Sequence, residues 1–252
     1  MNLTAGTIEL YSSIIMAPGE RLTGQGVDKT VINYHGTFDA FEGSGCAVVP
    51  ADGCVIENLT INCVNQVSLA GCVGCREQDG DGPSENVVVR NCHLNGLSDT
   101  IYVRHTVTCG MRVEGCLLTT KWDLVMLAGA LHAVEIERCQ LLANGHDYEV
   151  NGSQQEANCT TVLGGHLKLR HCALSAAGPL TTRGLWTVGA GWPGFVEGST
   201  IHAAACSIRA KQPFVKAEQT NITFEGCRFL NVSRDLTEPV EKEGWKPSLV
   251  NQ

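Results

Sequence analysis

Six short segments of this chain superpose on one pattern: IENLTI (56–61), VRNCHL (89–94), VEGCLL (113–118), IERCQL (136–141), LRHCAL (169–174) and FEGCRF (224–229). AAACSI (203–208) is a weaker seventh. Their fourth residues, Leu59, Cys92, Cys116, Cys139, Cys172, Cys206 and Cys227, are separated by 33, 24, 23, 33, 34 and 21 residues. A base period of 21–24 residues with insertions fits these steps better than a fixed helical repeat. Self-similarity at such a period means that each unit buries its apolar face against its own copies.

Within the units apolar residues alternate over short runs separated by Gly, Asn, Ser and Thr. Period two identifies strands joined by turns, and no stretch of ten or more residues has helical periodicity. The economical arrangement wraps each unit once around an axis and stacks the coils about 4.8 Å apart. Every strand then pairs in parallel with its equivalents, and equivalent side chains form columns. The expected fold is an all-β parallel β-helix, with residues 1–232 one domain. Residues 233–252 break the pattern and are expected to cap the last coil or to extend as a docking arm.

The cysteines form such a column, expected to point inward as small apolar side chains. Thirteen is an odd number, so at least one thiol is unpaired within the chain. CVGC (72–75) is a lone CxxC with no second pair at zinc spacing, although the fold would allow Cys46 or Cys54 as partner.

Asp99 and Asp123 each lie seven residues past a repeat cysteine and 24 residues apart. The third equivalent is His146, with Asp147 one step on. Two carboxylates one strand spacing apart repel by roughly 3.5 kcal/mol at an effective dielectric of 20. In a groove a bound cation, a shared proton, or Lys121 and Arg104 would have to offset that repulsion. On an open corner the aspartates would be ordinary turn residues that bond their own backbone. Tyr102, Tyr148 and Glu149 are further polar candidates beside this line. Trp186 and Trp192, in RGLWTVGAGWPGF (183–195), would stack on sugar rings in a loop over a groove, or cap the core. Asp79 and Asp81, in DGDG with Glu77 or Glu85, have oxygens suited to Ca²⁺, or form a polar hairpin tip.

The opening GTIELYSSIIMAPGERLTGQGVDKTVI (6–32), with VIENLTI and GLSDTIYV, resembles the right-handed parallel β-helix proteins of the pectin-lyase-like superfamily. The likeness covers roughly residues 6–232. It implies a glycan partner and, for Asp99, Asp123, His146 and Asp147, the carboxylate chemistry of an inverting hydrolase. The adjacent Asp pair and the Gly-His-Gly element of polygalacturonases do not occur, nor does the Trp-x-Asp-His signature of many pectate lyases.

A net charge of −8 argues against a nucleic-acid partner, because no basic face is available to displace phosphate counterions. No apolar run approaches the roughly 20 residues that span a bilayer. Residues 1–25 show no secretion signal, and the six Asn-x-Ser/Thr sequons are what an Asn- and Thr-rich repeat produces by chance. Three functions remain open: carbohydrate recognition or cleavage, a calcium-dependent lyase, and a non-catalytic virion, tail or surface rod that assembles into oligomers.

Overall fold

The computed structural model describes residues 1–36, 45–64, 70–74, 84–104, 109–129, 132–144, 149–150, 153–154, 157–176, 181–189 and 195–231. No helix occurs among them. The chain is a right-handed parallel β-helix of three long sheets. The first has nine strands, from Gly6–Leu10 to Arg228–Asn231. The second has eight, from Ile14–Ile15 to Gln212–Val215, and the third has eight, from Arg21–Thr23 to Asn221–Glu225. Each coil visits the three sheets in that order. A small antiparallel hairpin, Glu149–Val150 with Ser153–Gln154, interrupts one coil.

In-register pairing turns the alternating apolar residues into columns. In the first sheet Ile32, Ile61, Leu94, Leu118, Leu141, Leu174 and Ile208 stack over one another. All are buried, and each contributes roughly 1.5–3 kcal/mol by leaving water. Where one column breaks the apolar rule the consequence is local. Thr160 stands between Val125 and Leu185 with no exposed surface, and its Oγ1 has no hydrogen-bond partner.

The cysteine pattern marks the turn from the third sheet back to the first. Its first residue adopts the left-handed conformation in all seven repeats: Asn58, Asn91, Gly115, Arg138, His171, Ala205 and Gly226 have φ of 50–58°. Gly and Asn tolerate this region, whereas other residues are strained there. The second residue is Leu59 or a cysteine. The thiols of Cys92, Cys116, Cys139, Cys172 and Cys206 each donate to the carbonyl two residues back at 3.2 Å. Along the axis the Cys92 N–H donates to Cys116 Sγ at 3.4 Å, and the Cys116 N–H to Cys139 Sγ at 3.3 Å. The ladder therefore fills the core as expected and also satisfies turn backbone. All described cysteines are free thiols.

Candidate functional site

The three sheets differ in what covers their outer faces. In the third sheet burial alternates, as in His166–Arg170, where His166, Lys168 and Arg170 are exposed. Its surface carries ion pairs such as Lys168 Nζ with Glu135 Oε1 at 2.8 Å, and Glu57 bridges Arg21 and Arg90. In the second sheet the alternation vanishes. Cys46–Val49, Gly71–Gly74 and Ala157–Val162 are buried at every position. The insertions that lengthen the coils also adjoin this sheet in the chain: 65–69 and 75–83 bracket Gly71–Gly74, and 177–180 and 190–194 bracket the strand Thr181–Thr187.

Asp99 and Asp123 open neighbouring strands of this sheet and are direct register partners. They are 7% and 2% exposed, which excludes the open-corner alternative. Beyond Asp123 the rungs continue to Asn158, Arg183 and Gln212. The expectation that His146 or Asp147 follows Asp123 is corrected here. The insertion with the Glu149–Gln154 hairpin lengthens the coil, so the next strand of this sheet begins only at Ala157. A second column on the same face runs Gly74, Tyr102, Met126, Thr161, Trp186, Val215.

Hydrogen bonds lock this arrangement. Asn158 Nδ2 donates to Asp123 Oδ1 at 2.7 Å, and Thr161 Oγ1 donates to Asp123 Oδ2 at 2.8 Å. Arg183 Nη1 donates to Asn158 Oδ1 at 3.5 Å, and the guanidinium lies 4.3 Å above the Trp186 ring. Burial pushes the Asp123 carboxyl up to about 6, and the donors from Asn158 and Thr161, with the charge of Arg183, oppose that rise. On the Asp99 side lies a small pocket of about 10 Å³, lined by Gly45, Cys46, Gly71, Ser98, Asp99 and Tyr102. Gly71 and Gly74 leave room for the Cys46 thiol; a Cβ on either would come within 2.8 Å of Cys46 Sγ and of neighbouring backbone oxygen.

The other sequence candidates divide. Tyr102 and Trp186 share the face of the acid pair. Trp186 packs beside Ala128, Leu163 and Val188 on this outer face, so it does not cap the core. Lys121 is half-buried in the turn two residues before Asp123. Arg104 ends the Asp99 strand, its backbone paired with Ala128, and its side chain lies outside the described residues. His146, Asp147, Tyr148, Trp192, Glu77, Asp79 and Asp81 also lie outside them, as does the Glu149 side chain, while Glu85 is exposed at the start of its strand. Among the described residues no three His, Cys, Asp or Glu side chains converge as a metal site. Spacing along the chain does not point to Asn158, Thr161 or Arg183, because Asn158 follows Asp123 by 35 residues rather than 24.

No family model matches the chain, and no curated protein matches it in sequence. Solved structures do match. Pectin methylesterase from carrot superposes with a TM-score of 0.64 at 13% identity, covering 93% of this chain and 74% of its own. A pectin methylesterase in complex with a hexasaccharide gives 0.59 at 12%, covering 98% and 89%. The tailspike gp49 of Acinetobacter baumannii bacteriophage Fri1 gives 0.38 at 10%, covering 98% and 59%. The class is therefore defined by architecture alone, a right-handed parallel β-helix. Within that class the chain has an acid pair recessed in its second sheet.

Proposed function

We propose that the outer face of the second sheet is a polysaccharide-processing groove, and that Asp99 and Asp123 are the carboxyl pair of a hydrolase acting there. One observation carries this reading: the in-register acids are buried on the second sheet, where the strands Cys46–Val49, Gly71–Gly74 and Ala157–Val162 are buried at every position. Burying two neighbouring carboxyl groups is costly, and an acid raised by burial, as Asp123 is, marks a candidate functional site.

The register also favours a type of chemistry. Adjacent rungs place the acids about one strand spacing, ~4.8 Å, apart at the backbone. That suits the roughly 5–5.5 Å of a double displacement better than the 6.5–9.5 Å of direct water attack. The rung beyond, which would have supplied the wider separation, is an amide. In this reading Asp123 works ionised, since both of its oxygens face donors, and it attacks the carbon of a glycosidic or ester bond. Asp99 gives a proton to the departing oxygen, then takes one from the water that releases the product. Tyr102, Met126 and Trp186 offer the apolar column along which an extended glycan would lie. The shared fold includes a pectin methylesterase holding a hexasaccharide, which supports a glycan of that length as ligand.

Incubation with a panel of neutral, acidic and esterified polysaccharides tests this. Reducing ends, released alcohol or acid, and the ultraviolet absorbance of unsaturated products would be measured. Cleavage abolished by Asp123→Asn supports the proposal; no cleavage and no glycan binding at millimolar concentration removes it. A non-catalytic rod is the second reading, favoured by the saturation of both Asp123 oxygens within the protein. It requires Asp123→Asn to lower stability, and light scattering to show a defined oligomer.

A further inference from the structure

The rungs after the acid pair form a directed chain. Asn158 is 1% exposed, and its amide has distinguishable ends. Its oxygen accepts from Arg183 Nη1 at 3.5 Å, so its nitrogen faces back to Asp123 Oδ1, 2.7 Å away. The acceptor-only carboxylate on one side and the donor-only guanidinium on the other both demand this orientation of the amide, the carboxylate through the shorter contact. The Asn158 backbone is fixed as well, its N–H donating to the Trp122 carbonyl at 3.0 Å.

We infer that Asn158 is a positioning residue, oriented between Asp123 and Arg183, that together with Thr161 fixes the Asp123 carboxyl on the side of the following rung. This deepens the hydrolase reading and rests on it for its functional meaning, while the geometry stands independently. The charged and titratable groups around Asp123 come from four places. Asp99 lies on the preceding rung, Arg183 two rungs on, Cys159 beside Asn158, and Lys121 in the turn before Asp123. Arg183 acts on Asp123 both through its charge and through Asn158. Asn158 contributes a neutral donor whose loss leaves a buried oxygen without one of its two partners.

The test reads Asp123 directly, by ¹³C-carboxyl NMR titration of the full chain, with its resonance assigned from its disappearance in Asp123→Asn. Asn158→Ala is expected to raise the Asp123 titration midpoint by about one pH unit, the effect of losing one strong donor. The near-isosteric Asn158→Asp, which folds if the alanine variant does not, is expected to raise it further, because it adds a like charge. Arg183→Met should raise it too, through lost charge and a freed amide. With a substrate in hand, Asn158→Ala should lower kcat at least tenfold with KM within twofold, and move the acidic limb of the pH profile upward by the NMR shift. A midpoint unmoved in both folded Asn158 variants overturns the inference, whether or not substrate is cleaved. A moved midpoint in a protein that cleaves nothing supports the positioning role and removes the hydrolase reading instead.

Discussion

Asp99 and Asp123 are register partners on adjacent coils, both removed from water. No packing need explains two acids in such a place. Two leucines or threonines would complete the column at lower cost, because the desolvation of a carboxylate is recovered only in part by its hydrogen bonds. That excess cost leads to the first prediction.

Asp123→Asn should lower any hydrolytic rate by roughly 10⁴–10⁶-fold, the range for removing the nucleophile of a covalent mechanism. At pH 7 it should raise stability by roughly 1–3 kcal/mol, because the amide keeps partners in Asn158 and Thr161 without the charge. Activity assays beside urea denaturation check both halves. A variant that is inactive and less stable would make Asp123 a structural acid.

Acidity should move activity and stability in opposite directions. Burial raises the Asp123 carboxyl from 3.8 to about 6 in the folded chain, so the native state keeps a proton that the unfolded state loses between those values. Stability from this group therefore falls as pH rises from about 4 to 6, by roughly 3 kcal/mol in all. Activity needing ionised Asp123 should instead rise tenfold per pH unit up to about pH 6. Glu57 and Glu135, held below the usual carboxylate range by their arginine and lysine partners, titrate with the opposite sign. The comparison is therefore wild type minus Asp123→Asn, followed by chemical denaturation at each pH.

Thr160→Val should stabilise the chain by about 1–2 kcal/mol. The hydroxyl is buried between Val125 and Leu185 without a partner, and valine keeps its shape while removing that cost. Thermal melts decide the matter; a lower Tm would mean that the hydroxyl serves an interaction made only in another state of the protein.

Ala205→Gly should stabilise by about 0.5–1 kcal/mol. Ala205 holds φ at 50° in the exposed turn where other coils use Asn58, Asn91, Gly115 or Gly226. Relief of that strain exceeds the extra entropy of a glycine in the unfolded chain. Gly115→Ala should cost a comparable amount, and the two melts together check the turn geometry.

How far the sequence could be read depended on coil length. The parallel stack, the inward cysteine column and the Asp99–Asp123 pairing were all legible, because between Cys92 and Cys139 the coils hold 24 and 23 residues and equal spacing becomes equal height. The strand around Lys168 was legible for a similar reason, since period two needs no long-range information. Past Ala143 an insertion of unmarked length enters, and counting from a cysteine no longer finds the next rung; Asn158 stands where an acid or imidazole was expected. Burial was also invisible in the sequence, because an outward aspartate reads the same on an open corner as in a covered groove. Local spacing determined which residues share a column. Only tertiary structure decided which column the protein withdraws from water, because that depends on what packs against the sheet from elsewhere in the chain.

If the Asp99 and Asp123 strands were not laid one upon the other, their carboxyl groups would have no common environment and no shared chemistry. Their adjacency is a product of stacking, whereas the amide and guanidinium that complete the site arrive from coils whose distance along the chain carries no signal.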